Sequence, residues 1–175
     1  HFDTVEAICF DYGQRHTIEL ESAKTIAEKS NTPLKILKIE AFKQLGNNAL
    51  LEHNTEISQK DGELPNTFVP GRNLIFMTFA ASWAYQKEIP NLITGVCEAD
   101  YSGYPDCRNN TMESLQQSIS LGMYFTFTIH TPLMQLTKAE TVNLAQEVNA
   151  LDALTWSHTC YEGTFPPCGT CPSCV

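Results

Sequence analysis

Residues 5–39 constrain the fold more tightly than any other stretch of the chain. Val5–Phe10 is mostly apolar and β-prone and stops at Asp11-Tyr12-Gly13, the pattern of a buried strand ending in a loop. Thr17–Lys29 sets Ile18, Ala23, Ile26 and Ala27 on one face and glutamates elsewhere, which predicts an amphipathic helix. Pro33–Ile39 is short and β-branched, a second strand. Strand, helix and strand in that order make a βαβ unit, which implies a parallel sheet with a right-handed crossover.

The remainder keeps the alternation. Glu40–Leu64 is a polar excursion with room for one short helix. Pro70-Gly71 opens a helix over Asn73–Gln86 that is apolar nearly all round and is expected to be well buried. Leu92–Cys97 reads as a third strand, Asn109–Leu121 as a more polar helix, and Phe125–Ile129 as a half-buried strand. Thr137 and Glu140 form a capping box ahead of a helix running to about Asn149. The class is therefore α/β, a three-layer fold on a parallel sheet. A length of 175 residues suits one domain with a sizeable core, and no apolar run is long enough to span a bilayer.

Ligands in such folds bind beyond the carboxyl ends of the strands. That rule selects three loops: Asp11–His16, Glu98–Arg108 and His130–Lys138. The second carries Glu98, Asp100 and Asp106, the phenols Tyr101 and Tyr104, and Arg108. Its carboxylates suit the N–H groups of a base-like ligand or Mg²⁺, and equally suit a solvated turn in which acidic side chains cap backbone groups. Arg72 stands at the start of the apolar helix, where free amides and the dipole favour an anion, although an ordinary capped helix looks the same. Tyr12, Gln14, Arg15 and His16 combine an aromatic, an amide and two cation-capable groups. Lys138 opposes the dipole of the last helix, which fits either a phosphate neighbour or a plain surface lysine. Ser157-His158 has no evident third partner and reads as core or loop. The chain contains no G-x-x-x-x-G-K-[ST], G-x-G-x-x-G or G-x-S-x-G motif.

Four cysteines crowd the end of the sequence: Cys160, then Cys168, Cys171 and Cys174 in two overlapping C-x-x-C steps. This is the spacing of a closed tetrathiolate zinc site of structural type, with a pair of disulfides as the alternative. Cys9, Cys97 and Cys107 are scattered and read as free thiols in a reducing cytoplasm. The net charge of −9, from 20 acidic against 11 basic residues, argues against broad binding to a phosphate backbone. The start at His1 and the end one residue after Cys174 lead us to expect native sequence beyond both ends.

The stretches FDYGQRH (Phe10–His16), LPNTFVPGRNLIF (Leu64–Phe76), ITGVCEADYSGYPDCR (Ile93–Arg108), TPLMQLTKAE (Thr131–Glu140) and the terminal cysteines together resemble the 7-cyano-7-deazaguanine synthase (QueC) family of ATP pyrophosphatases. The resemblance covers essentially the whole chain. It implies a Rossmann-like fold of the adenine nucleotide alpha hydrolase type over residues 1–155 and a zinc-binding loop over 156–175. The family's S-G-G-x-D-S phosphate loop, with its strand, is expected ahead of His1. The implied activity is a cytoplasmic, ATP-dependent ligase reaction that turns 7-carboxy-7-deazaguanine and ammonia into 7-cyano-7-deazaguanine for queuosine, releasing AMP and pyrophosphate. Zinc would be held by Cys160, Cys168, Cys171 and Cys174, and Mg²⁺ would accompany ATP. Tyr12, Gln14 and Arg15 are expected at the nucleotide and Arg72 and Lys138 at its phosphates as the catalytic pair. Glu98, Asp100, Tyr104, Asp106 and Arg108 are expected at the deazaguanine. The partners are small molecules, without nucleic acid or membrane, and the expected assembly is a homodimer. Two other classes fit parts of the pattern: a tRNA-modifying thiolase or ligase with a zinc ribbon, and a non-catalytic zinc-binding interaction module.

Overall fold

The computed structural model describes residues 2–44, 50–51, 64–98, 103–171 and 173–174. The chain divides into two compact units, His1–Phe68 with Ala145–Val175, and Val69–Leu144.

In the first unit, strand β1 (Ala7–Asp11) pairs in parallel with β2 (Leu34–Lys38), from Ala7 opposite Leu34 to Asp11 opposite Lys38. Helix α1 (Ile18–Lys29) connects them, so the expected βαβ unit is present. Its buried residues are Leu20 and Ala27, two turns apart on one face. Glu19 and Glu21 lie in the first turn and Lys29 in the last, the signs that the helix dipole favours. Beyond the strands, the Ile39 amide donates to the Asp11 carbonyl at 2.8 Å, and a 3-10 turn over Glu40–Gln44 buries Phe42 edge-on against Tyr12 at 5.8 Å. The rest of the polar excursion, 45–49 and 52–63, lies outside the described residues.

The second unit repeats the theme. Helix α2 (Arg72–Tyr85) leads to β3 (Asn91–Ile93), then α3 (Asn109–Met123) and β4 (Thr128–His130), which pairs in parallel with β3. Helix α4 (Lys138–Glu147) follows, and then a short helix that the sequence pattern did not disclose, α5 (Leu151–Thr155), in the first unit. The core joins Met77, Ala81 and Ala84 of α2 to Leu92, Met112, Ile119, Phe127 and Met134. Helix α2 is less buried than expected: Phe79 and Tyr85 are exposed, because only the Met77-Ala81-Ala84 face meets this core. Strands β3 and β4 are also shorter than expected. The Thr94 amide still bonds to His130, but the Glu98 amide turns to the Met134 carbonyl and the Cys97 thiol to that of Leu136. Phe125 and Phe127 pack on each other at 4.8 Å instead of extending the ladder.

Four helices end in the same way. Thr32 bonds back to Ala27, Ile89 to Ala84, Phe125 to Ser120 and Ala150 to Ala145, each six residues closing on one. The left-handed residue in each turn is Asn31, Glu88, Tyr124 or Asn149, with φ of 51° to 57°. These are Schellman ends without glycine. At the other pole of α4 the capping box is formed as expected. The Glu140 carboxylate accepts from the Thr137 amide at 2.8 Å, and the Thr137 hydroxyl accepts from the Glu140 amide at 3.3 Å.

Candidate metal centre and strand-end loops

The terminal cysteines form a site. The sulfurs of Cys160, Cys168, Cys171 and Cys174 all lie within 4.8 Å of one another, with Cys160 and Cys171 buried. Zinc bound to four thiolates at ~2.3 Å requires S···S edges of ~3.8 Å. The separations here are 3.9 Å for Cys168–Cys174 and 3.4 Å for Cys171–Cys174, so the residues fit such an ion. No disulfide joins any of the seven cysteines in the structure. Amides point at the sulfurs: Cys168 N–H at Cys160, and Thr170 and Cys171 N–H at Cys168. Gly169, with φ of 73°, gives the chain the turn that aims two amides at one sulfur.

These bonds set the acidities. Burial pushes the Cys160 thiol up, but hydrogen bonds from the Cys168 amide and from Thr164 outweigh it, and the thiol falls to about 5. The Thr170 hydroxyl, then the Thr170 and Cys171 amides, lower Cys168. The Gly169 amide pulls Cys174 down, yet burial and the neighbouring sulfurs push it up to about 12. The amides aimed at Cys160 and Cys168 favour the thiolate form that a divalent cation would take.

The same unit holds the loop after β1. Tyr12 is buried, and its amide donates to Gln14 Oε1 at 3.0 Å, while Gln14 Nε2 donates to the Phe10 carbonyl. Gln14 is thereby folded back on its own strand. Arg15 donates to Glu162 Oε2 at 3.2 Å, a contact between this loop and the cysteine loop.

In the second unit the structure gathers three of the predicted pieces. The Glu98–Arg108 loop meets the 131–136 segment through the Glu98 and Cys97 bonds, and it meets the start of α2 through Asp106. Asp106 is buried, and its Oδ2 accepts the Asn73 amide at 3.0 Å. Glu98 Oε2 accepts the Asn109 amide, at the start of α3, at 3.1 Å. Each carboxylate therefore caps a helix, and one amide that was expected to await an anion at Arg72 already has one. Tyr104 is buried; Arg108 and Lys138 are exposed. Asp100 and Tyr101 lie outside the described residues. Ser157-His158 follows α5 in a loop. Asn73, whose Nδ2 lies 3.2 Å from the Cys107 sulfur, and Glu162 were not singled out from the sequence.

The sequence pattern of the family described as queuosine biosynthesis protein QueC matches residues 1–175, the whole chain. The chain belongs to the QueC family. Among its relatives is the 7-cyano-7-deazaguanine synthase of Chromobacterium violaceum, 54% identical over 97% of this chain and 74% of that protein. The synthase of Laribacter hongkongensis is 52% identical over 99% of this chain and 77% of its own, and that of Bacillus subtilis 50% over 99% and 80%. The chain has a cysteine cluster that could hold a metal, and parallel βαβ units. Among the described residues no helix is long and apolar enough to cross a membrane.

Proposed function

We propose that this chain is an ATP-dependent ligase that makes 7-cyano-7-deazaguanine from 7-carboxy-7-deazaguanine and ammonia in queuosine biosynthesis. The observation that carries this reading is the identity of 50% to 54% with three synthases along nearly the whole chain. The substrate carboxylate attacks the α-phosphate of ATP, and pyrophosphate leaves. Ammonia opens the acyl adenylate to an amide and releases AMP. A second ATP activates the amide oxygen, again with loss of pyrophosphate, and AMP departs as the C≡N bond forms. Positioning and charge neutralisation supply most of the rate in such chemistry.

The residue roles follow that scheme. Tyr12, Gln14 and Arg15 serve the nucleotide, and Arg72 and Lys138 its phosphates, with Mg²⁺ sharing their charge. Glu98, Asp100, Tyr104, Asp106 and Arg108 serve the deazaguanine. Glu98 has a second oxygen outside the capping bond, suited to the N–H donors of a pyrimidinone edge, while the second oxygen of Asp106 faces the Cys107 thiol at 3.9 Å. Zinc held by the four cysteines would be structural, since four protein ligands leave no open position. Residues 1–155 form a Rossmann-like ATP pyrophosphatase domain of three layers and 156–175 its zinc loop. The enzyme works in the cytoplasm as a homodimer, on small molecules, and its net charge of −9 keeps it from nucleic acid.

The test is ATP–pyrophosphate exchange by the intact protein. Exchange is expected with 7-carboxy-7-deazaguanine present, followed by nitrile formation once ammonia is added. Exchange stimulated by tRNA instead would favour a tRNA-modifying thiolase or ligase. No exchange under any condition would leave a zinc-binding interaction module.

A further inference from the structure

Two adjacent contacts join the loop after β1 to the cysteine loop. The guanidinium of Arg15 lies 3.2 Å from the carboxylate of Glu162, and the two side chains are 16% and 38% exposed. The neighbouring residues, His16 and Gly163, are pressed together. A Cβ on Gly163 would come within 2.6 Å of His16 Nδ1 and 2.7 Å of its Cδ2, and φ of Gly163 is 63°. Only glycine allows both the turn and the approach. Glu162 and Gly163 lie between Cys160 and Cys168, inside the loop that the metal would pin. The backbone of Arg15 is held separately, by its amide on the Leu50 carbonyl at 2.7 Å.

We infer that Glu162 is a positioning residue for ATP binding: it fixes the Arg15 side chain, and the cysteine loop braces the nucleotide loop through it. This rests on the role of Arg15 at the nucleotide proposed above. A long arginine side chain loses rotamer freedom when it grips a ligand, and holding it in place beforehand reduces that loss. The brace also gives a closed metal site an effect on ATP affinity without any contact between metal and ligand.

The test is a double-mutant cycle on the intact protein, read by calorimetric ATP affinity, turnover and zinc content. Glu162→Gln should weaken ATP binding about fivefold, the upper range for a partly exposed ion pair. Turnover at saturating ATP and zinc content should stay at the wild-type level. Glu162→Asp should recover part of the affinity. Arg15→Ala should weaken ATP binding at least as much, and adding Glu162→Gln to it should change nothing further. Additive losses, or unchanged affinity in Glu162→Gln beside a weakened Arg15→Ala, overturn the inference and leave the role of Arg15 standing. Zinc lost from Glu162→Gln also overturns it, because the carboxylate would then act on the metal loop alone. Unchanged affinity in Arg15→Ala overturns the role of Arg15 and the inference with it.

Discussion

Replacing Asp106 separates support of the scaffold from recognition of a ligand. The side chain is 5% exposed, and its Oδ2 takes the Asn73 amide at the start of α2. Alanine leaves that part-buried amide without its acceptor. Loss of a helix cap costs ~1 kcal/mol, and a hydrogen bond to a charged group contributes ~1.5–3 kcal/mol. The two figures describe overlapping effects, so the expected loss is ~2–3 kcal/mol. Asparagine keeps an acceptor oxygen and the shape, and loses only the charge facing the positive helix end, ~0.3–1 kcal/mol. In a protein of this size 1 kcal/mol moves the melting temperature by ~2–4 °C. Asp106→Ala should therefore lower it by ~4–12 °C and Asp106→Asn by ~1–4 °C, measured by circular dichroism. Hydrogen exchange should quicken at the first-turn amides of α2 in the alanine variant. A shift below ~1 °C for Asp106→Ala would refute the capping argument. The asparagine variant then isolates recognition. A tenfold or greater rise in its Michaelis constant for 7-carboxy-7-deazaguanine, on the order of the energy of one buried charged partner, marks Asp106 as a ligand group if that for ATP is unmoved.

Cys171→Ser should lower zinc content and melting temperature together, by metal analysis and thermal scan, and full zinc retained in that variant would contradict the site. Tyr124→Gly should raise the unfolding free energy by ~1 kcal/mol in denaturant titrations, because the residue is held at φ 51° and its side chain is 98% exposed, so relief of strain is not offset by lost packing. The Thr137 amide, and next its hydroxyl, hold Glu140 below its ordinary value of 4.5. The lowered folded value means that the capping box stabilises α4 above 4.5 and fades as the pH falls through the folded value, so exchange of the first-turn amides of α4 should rise with acid and Glu140→Gln should flatten that rise.

Elements were legible where the signal is local. The first βαβ unit follows from a strand pattern, an amphipathic helix and a second strand within 35 residues, and the clustering of the four cysteines follows from their spacing. Helix starts were legible where Thr137 and Glu140 announce one. Helix ends were less so, because Asn31, Glu88, Tyr124 and Asn149 fill the left-handed position where glycine would have marked a stop. Phe125 and Phe127 alternate like strand residues, yet pairing begins only at Thr128, where the backbone meets Pro90. In the loops, composition showed that Glu98 and Asp106 are unusual; only coordinates show that each holds a helix amide. The partner of Arg15 was invisible, since nothing near Arg15 in sequence points to Glu162, 147 residues away.

That separation bears on how the protein is made. The middle unit, Val69–Leu144, is continuous in sequence and contains its own βαβ core, so it can fold as soon as it clears the ribosome. The outer unit is split, and Arg15 must wait for Glu162 and the last cysteines. At ~5–20 residues per second of translation, 147 residues correspond to roughly 7–30 s during which the first strand and its loop are exposed without their brace. Cys174, the last of the four clustered cysteines, emerges later still. A chain that stalls before Glu162 carries a finished middle and a loop after β1 without its brace.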